Sequence, residues 1–207
     1  MTQFPSSVAE ITKHLRDLPH DGRRRLVAIA GAPASGKSTL AGALSTAMND
    51  AGYTATALPM DGFHLDNAVL IDRGLLHRKG APETFDVHGF VHLVARLRDD
   101  AEIIFPTFDR ARDIAVAGSG CVGPDCDTVI VEGNYLLFDA PAWRDLAVHW
   151  DLSVFVDVPF QTLRDRLIAR WVAHGLSTQN AETRAAENDL ANARRICDAR
   201  LTANLIL

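Results

Sequence analysis

Apolar residues follow two rhythms along this chain. Runs without polar interruption, LVAIAG from Leu26 to Gly31, DTVIVEG from Asp127 and DLSVFVDV from Asp151, suit strands of a parallel sheet buried on both faces. YTATALP from Tyr53, EIIFPTF from Glu102 and the terminal LTANLIL read the same way. Helical spacing separates most of these runs. The first such segment, about residues 5–20, sets Val8, Ile11, Leu15 and Leu18 on one face after a Pro-Ser-Ser entry suited to a helix cap. Phe85, Phe90, Leu93 and Leu97 form another stripe that belongs to a core. Strands alternating with helices predict βαβ units and an α/β fold, a three-layer α/β/α sandwich around a mostly parallel central sheet. One stretch, DRARDIAVAGSGCVGPDCD after Phe108, breaks the alternation, and its Gly and Asp content predicts an excursion with a short hairpin.

A length of 207 residues fits one domain spanning 1–207. The formal net charge of -5 argues against a nucleic-acid partner, which needs a basic face to displace counterions. Arg23, Arg24 and Arg25 are the local exception and read as a solvated turn before the first strand. The opening MTQFPSSVAEITKHL lacks the apolar core of a leader, and no run is long enough to span a bilayer, so a cytoplasmic protein without membrane contact is expected. Cys121, Cys126 and Cys197 have no matching ligand pair and read as loop and packing residues, and His88 with His92 lacks an accompanying acidic motif for metal. A homodimer is one assembly the sequence allows.

Gly31 opens GAPASGKST, which fills the pattern G-x-x-x-x-G-K-[ST] of a phosphate-binding loop. The loop, Gly31, Ala32, Pro33, Ala34, Ser35, Gly36, Lys37, Ser38 and Thr39, stands between a buried strand and a helix with good formers. Backbone amides and the positive end of that helix would converge on one anion. Lys37 is expected to reach the β- and γ-phosphates of ATP and the Ser38 hydroxyl to ligate Mg²⁺. The sandwich is therefore expected to be of the P-loop NTPase type. None of the lysines, Lys13, Lys37 and Lys79, is followed two places on by aspartate, so the guanine reader of a GTPase is missing.

The segments MDGFH at Met60, RKGAPETFDVH at Arg78 and VIVEGNYLL at Val129 resemble, with the P-loop, the phosphoribulokinase, uridine kinase and pantothenate kinase group. The closing region from Phe155 is similar to the subgroup labelled nucleoside/nucleotide kinase-like, or fructose transport system kinase (fructokinase). The chain departs from pantothenate kinases at PTFDRARDIA from Pro106 and in lacking their aromatic-rich C-terminal part. The resemblance implies transfer of the ATP γ-phosphate to a hydroxyl of a small metabolite, a nucleoside or a sugar such as fructose before a pantothenate-like acceptor. The alternatives are a P-loop ATPase or regulatory switch that works without a small acceptor, and a module that binds nucleotide without catalysis.

The resemblance puts the catalytic aspartate at Asp61, whose structural alternative is a turn residue before Gly62. Glu132 ends an apolar strand where P-loop proteins hold an acidic group near Mg²⁺ or its waters; it could equally cap the Gly-Asn turn that follows, and either carboxylate could serve as the principal base. Arg166 and Arg170, four apart on a helical run, suit a lid over about residues 166–190 that brings arginine to the γ-phosphate, or else a surface salt-bridge face. Asp109, Arg110 and Arg112 resemble the acceptor-holding neighbourhood of uridine kinase-like proteins, with a shorter spacing. His64 could touch the acceptor or pack as an ordinary histidine.

Overall fold

The computed structural model describes residues 5–19 and 22–207. Met1 to Phe4, part of the opening read for a leader, and His20, the end of the expected first helical segment, lie outside the described residues. Helix α1 (Pro5–Asp17) precedes β1 (Arg25–Gly31), α2 (Lys37–Asp50) and β2 (Ala55–Pro59). Short helix α3 (Asn67–Asp72) and α4 (Val87–Arg96) follow, then β3 (Ile103–Asp109), β4 (Ile114–Val122), β5 (Thr128–Gly133) and β6 (Leu152–Val156). The chain closes with α5 (Phe160–Ala173), α6 (Thr178–Arg184), a π turn (Ala185–Asp189), α7 (Leu190–Asp198) and β7 (Leu205–Ile206).

The main sheet has five strands in the order β2-β5-β1-β6-β7, and every pairing is parallel. Its unbroken apolar strands are buried on both faces, as such runs predict. Leu26, Ala28, Ala30, Val129 and Val131 pack with Phe90 and Trp143 on one side. Val27, Ile29, Ile130 and Val154 face Leu40, Leu44, Ile11 and Leu15 on the other. Helices on both faces thus make the expected three layers.

EIIFPTF differs from the expectation. It forms β3, outside the parallel sheet, paired antiparallel with β4 in a two-stranded hairpin. Pro106 lies inside the run and has no N–H for a ladder, and the register shifts between Phe105 and Thr107. Ile103 and Phe105 are buried while Ile104 is 53% exposed, so the strand is covered on one face only. The hairpin predicted beyond Phe108 therefore includes β3 itself.

The basic run also needs correction. Arg24 is buried, and its guanidinium donates to the carbonyls of Cys126, Leu97, Asp100, Ala101 and Gly123. Five rigid donors match a ring of carbonyl oxygens, so this arginine ties the end of α4 to the loop before β5. It is a structural clasp and not part of a solvated turn.

Candidate active site

Ligands of open parallel sheets gather at the carboxyl ends of the strands. Here β2, β5 and β1 end side by side: Pro59 pairs with Glu132, and Glu132 with Ile29. Three chemically distinct segments leave this shared edge. From β1 the chain loops through Ala32–Gly36 into α2, whose first residue is Lys37. Ala34 (φ 62) and Gly36 (φ 98) adopt left-handed backbone among ordinary residues, an alternation that turns successive amides toward one point. Ser35 is 1% exposed and its hydroxyl has no partner among the described residues. Arg166 of α5 donates to the Ala34 and Ser35 carbonyls at 3.1 and 3.4 Å, leaving the amide side of the loop clear.

From β2 the chain enters a 3-10 turn, Met60–Phe63, that carries Asp61. From β5 comes Glu132, whose Oε1 accepts from the Ser38 hydroxyl at 3.0 Å. Burial lowers the pKa of the half-buried Lys37 although Glu132 and Asp61 work to raise it. Burial, joined by Asp61 and opposed by Lys37, pushes Glu132 up. Asp61 goes the other way: burial would raise it, but His64 when charged, Arg110 and Lys37 together hold it below the ordinary carboxylate range. Arg110, at the tip of the β3–β4 hairpin, meets Asp61 Oδ2 at 2.6 Å. The other oxygen of Asp61 is left for a second donor.

These groups border a cavity of about 480 Å³, which Lys37, Asp61, His64, Arg110 and Arg170 all line. The Arg170 guanidinium makes no hydrogen bond or close ion pair with a described residue, and burial and Arg110 both act against its charge. His64 sits between Phe85 and Phe108, with centroids 4.0 and 4.7 Å away, and its Nδ1 lies 2.8 Å from the Asp61 carbonyl. Burial lowers its pKa, favouring the neutral ring. Asp109 and Arg112 do not line the cavity. The Asp109 carboxylate accepts from the Ala111 and Arg112 amides and pairs with Arg112 at 2.7 Å, closing the hairpin turn.

Sequence reading did not single out the far wall. Lys79 binds Asn67 at 2.6 Å and Asp113 at 2.9 Å while lying over Phe108. Trp171 donates to Asp189 at 2.6 Å, and Arg184 lies over the Trp171 ring. The scarcity of lysine was one available signal for Lys79, and the π turn behind Asp189 leaves no trace in residue type. A second cavity of equal volume, walled by Phe85, Phe138 and Trp143, touches none of the groups at the strand ends. Chemistry, not size, marks the first as the site. Ser38 and Glu132 offer oxygen donors only, and no cluster of three or more His, Cys, Asp or Glu side chains suited to a metal occurs among the described residues. Such a sparse set fits Mg²⁺, which keeps waters and phosphate oxygens in its shell.

A solved structure from Silicibacter sp. TM1040, described as a "putative fructose transport system kinase", is 54% identical, covers 97% of this chain and 98% of its own, and superposes with a TM-score of 0.93. A "Putative uridine kinase" of Schizosaccharomyces pombe is 32% identical over 212 residues, 98% of this chain and 90% of that protein. The chain is a P-loop small-molecule kinase of the uridine kinase, pantothenate kinase and phosphoribulokinase group. The uncharacterized protein YggC of Escherichia coli is 40% identical over 189 residues, 89% of this chain and 78% of that one. The pantothenate kinase of Leifsonia xyli is 35% identical over 151 residues, 70% of this chain, yet the chain spans only 45% of its length. Phosphoribulokinase from Rhodobacter spheroides shares the fold with a TM-score of 0.61 at 15% identity, over 86% of this chain and 66% of its own. No family model matches the chain. P-loop kinases of this group use ATP, so the acceptor hydroxyl is the open half of the reaction.

Proposed function

We propose that this kinase transfers the γ-phosphate of MgATP to a hydroxyl of a neutral small metabolite, a sugar or a nucleoside, with Asp61 receiving the hydroxyl proton. The observation that carries the reading is the meeting of Lys37, Asp61 and Arg170 on one cavity wall, beside a loop whose backbone favours anions. MgATP, when bound, supplies the phosphoryl group and the metal charge that offsets its oxygens. The amides of Ala34 and of Gly36 to Ser38, with the Lys37 ammonium, hold the phosphates, and Ser38 with Glu132 forms the oxygen edge suited to Mg²⁺. Arg166 fixes the outer turn of the loop through its carbonyls. Arg170, whose guanidinium has no close partner among the described residues, neutralises charge that develops on the transferred group.

Asp61 is held in place by Arg110 through Oδ2, which leaves Oδ1 to orient the acceptor hydroxyl. Its depressed pKa makes it a weak base. It therefore takes the proton late, as the acceptor oxygen bonds to phosphorus and becomes acidic, and positioning contributes more than basicity. His64 in neutral form supports the turn that carries Asp61.

Charge balance supports a neutral acceptor. Lys79 already pairs with Asp113 and Arg110 with Asp61, while the triphosphate takes up Lys37 and Arg170. Arg184 faces the negative charge of Asp189. Each described lysine and arginine that lines the cavity is thus set against a carboxylate or the triphosphate, which counts against a pantothenate-like substrate, and the buried Arg184 Nε, without a partner among the described residues, is left for a neutral oxygen of the acceptor. The test is an ADP-release screen over hexoses, pentoses, nucleosides, glycerate and pantothenate, with the product mass measured. A neutral polyol gaining one phosphate is expected; release that ignores every acceptor would replace this reading with an ATPase or switch.

A further inference from the structure

On the cavity wall, beside the buried Arg184 Nε, two side chains keep hydrogen-bond accepting capacity that no described residue takes up. Asn134 follows β5 directly, and its Oδ1 is buried without a partner among the described residues. Asp189 accepts from Trp171 Nε1 through Oδ2 alone, so its Oδ1 is engaged by no described donor. Both line the cavity that contains Lys37 and Asp61. Buried polar atoms are almost always satisfied, so the orphaned Asn134 Oδ1, with an open Asp189 oxygen in the same cavity, points to a ligand that engages both.

The backbone beneath Asp189 is unusual in the same sense. It ends the π turn Ala185–Asp189, and such single wide turns concentrate at functional sites because the extra residue re-aims side chains. Here neighbouring residues serve the same wall. Asn188 donates to the Lys79 carbonyl at 2.9 Å, and Asp189 faces the cavity. Trp171 and Phe108 each carry a cation over the ring, Arg184 at 5.0 Å and Lys79 at 5.1 Å, and both rings border the same space.

We infer that Asn134 and Asp189 select the acceptor by receiving its non-reacting hydroxyls, and that the acceptor is a polyol whose C–H surface packs against Trp171 and Phe108. A carboxylate only accepts hydrogen bonds, so it recognises hydroxyls and repels an acidic group placed against it. Asp189 thus favours sugars and the ribose part of nucleosides and disfavours hydroxy acids and sugar phosphates. The assignment rests on the proposed phosphotransfer to a neutral hydroxyl compound.

The test compares the intact protein with Asn134→Ala and Asp189→Asn, using D-fructose and uridine and the singly deoxygenated forms of whichever accepts phosphate. Asn134→Ala removes no hydrogen bond to a described residue, and Asp189→Asn keeps an acceptor for Trp171, so both variants should fold, which a melting curve checks. Asp189→Asn is expected to lower kcat/KM for the acceptor about 10- to 100-fold and Asn134→Ala about 3- to 10-fold, with KM for ATP within about twofold. One deoxy analogue should lose as much with the unaltered protein and lose nothing further with the matching variant. Acceptor kcat/KM within twofold in both variants, or equal added loss on every analogue, would overturn the assignment. Absence of turnover with both acceptors in the unaltered protein would instead sink the neutral-acceptor reading itself, and this inference with it.

Discussion

In the proposed assignment the phosphate side of the cavity is built mainly on one run of chain, Gly31 to Ser38, anchored at the centre of a five-stranded sheet, with Glu132 and Arg170 beside it. The facing side is assembled from separate segments around His64, Lys79, Arg110 and Asp189, joined by side-chain pairs such as Lys79 with Asp113 and Trp171 with Asp189. A triphosphate is the same ligand in every kinase, so backbone amides on rigid elements are enough to hold it. An acceptor varies, and side chains on loops and helix ends can change without disturbing the sheet. Asp61 stands where the two sides meet, rooted at a strand end and tied to the hairpin by Arg110.

Substitutions can break this division at its seam or sharpen it on either side. Asp61→Asn, at the seam, removes the proton acceptor and keeps the shape. A fall in kcat of about 10²- to 10⁴-fold with KM for ATP nearly unchanged is expected in steady-state assays. Gly31→Ala strikes the phosphate side alone. Its Cβ would lie 2.7 Å from Ser35 Oγ and 3.0 Å from the Val156 carbonyl, distances that force the loop to shift. The expected result is a destabilisation of about 1–3 kcal/mol in denaturant titration with weaker ATP binding, while relative preference among acceptors stays the same.

Glu132→Gln has the smallest expected effect on stability, and of opposite sign. Burial raises the folded-state pKa of Glu132 above its ordinary value of 4.5, so the ionised form costs the fold stability at neutral pH. Replacing it should raise Tm at pH 7, and the gain should shrink as pH falls through the folded pKa toward 4.5. Activity should drop at the same time, since the oxygen edge beside Ser38 loses its charge. A thermal melt across pH reads both the sign and the window.

Legibility in the sequence divides along the same line. The phosphate loop occupies consecutive residues after a buried strand, so pattern and context coincide, while Asp61 follows a strand and Glu132 stands near the end of one that could be read from its apolar run. EIIFPTF carries the same apolar signal as the sheet strands, and only Pro106 hints that its partner is an antiparallel neighbour. Arg24 looks like Arg23 and Arg25 in sequence because its burial depends on carbonyls that arrive from about a hundred residues away. Asn134, Lys79 and Asp189 converge only through the fold. Apart from the scarcity of lysine their types are ordinary, and no spacing along the chain records that they share a cavity.

Equilibrium binding of MgATP to the unaltered protein and to a folded Lys37→Ala variant tests most directly whether the glycine-flanked turn is a triphosphate cradle. One MgATP per chain is expected, weakened about 100-fold when the ammonium is removed. Equal affinity in the two proteins, with the variant's melting curve intact, would contradict the account.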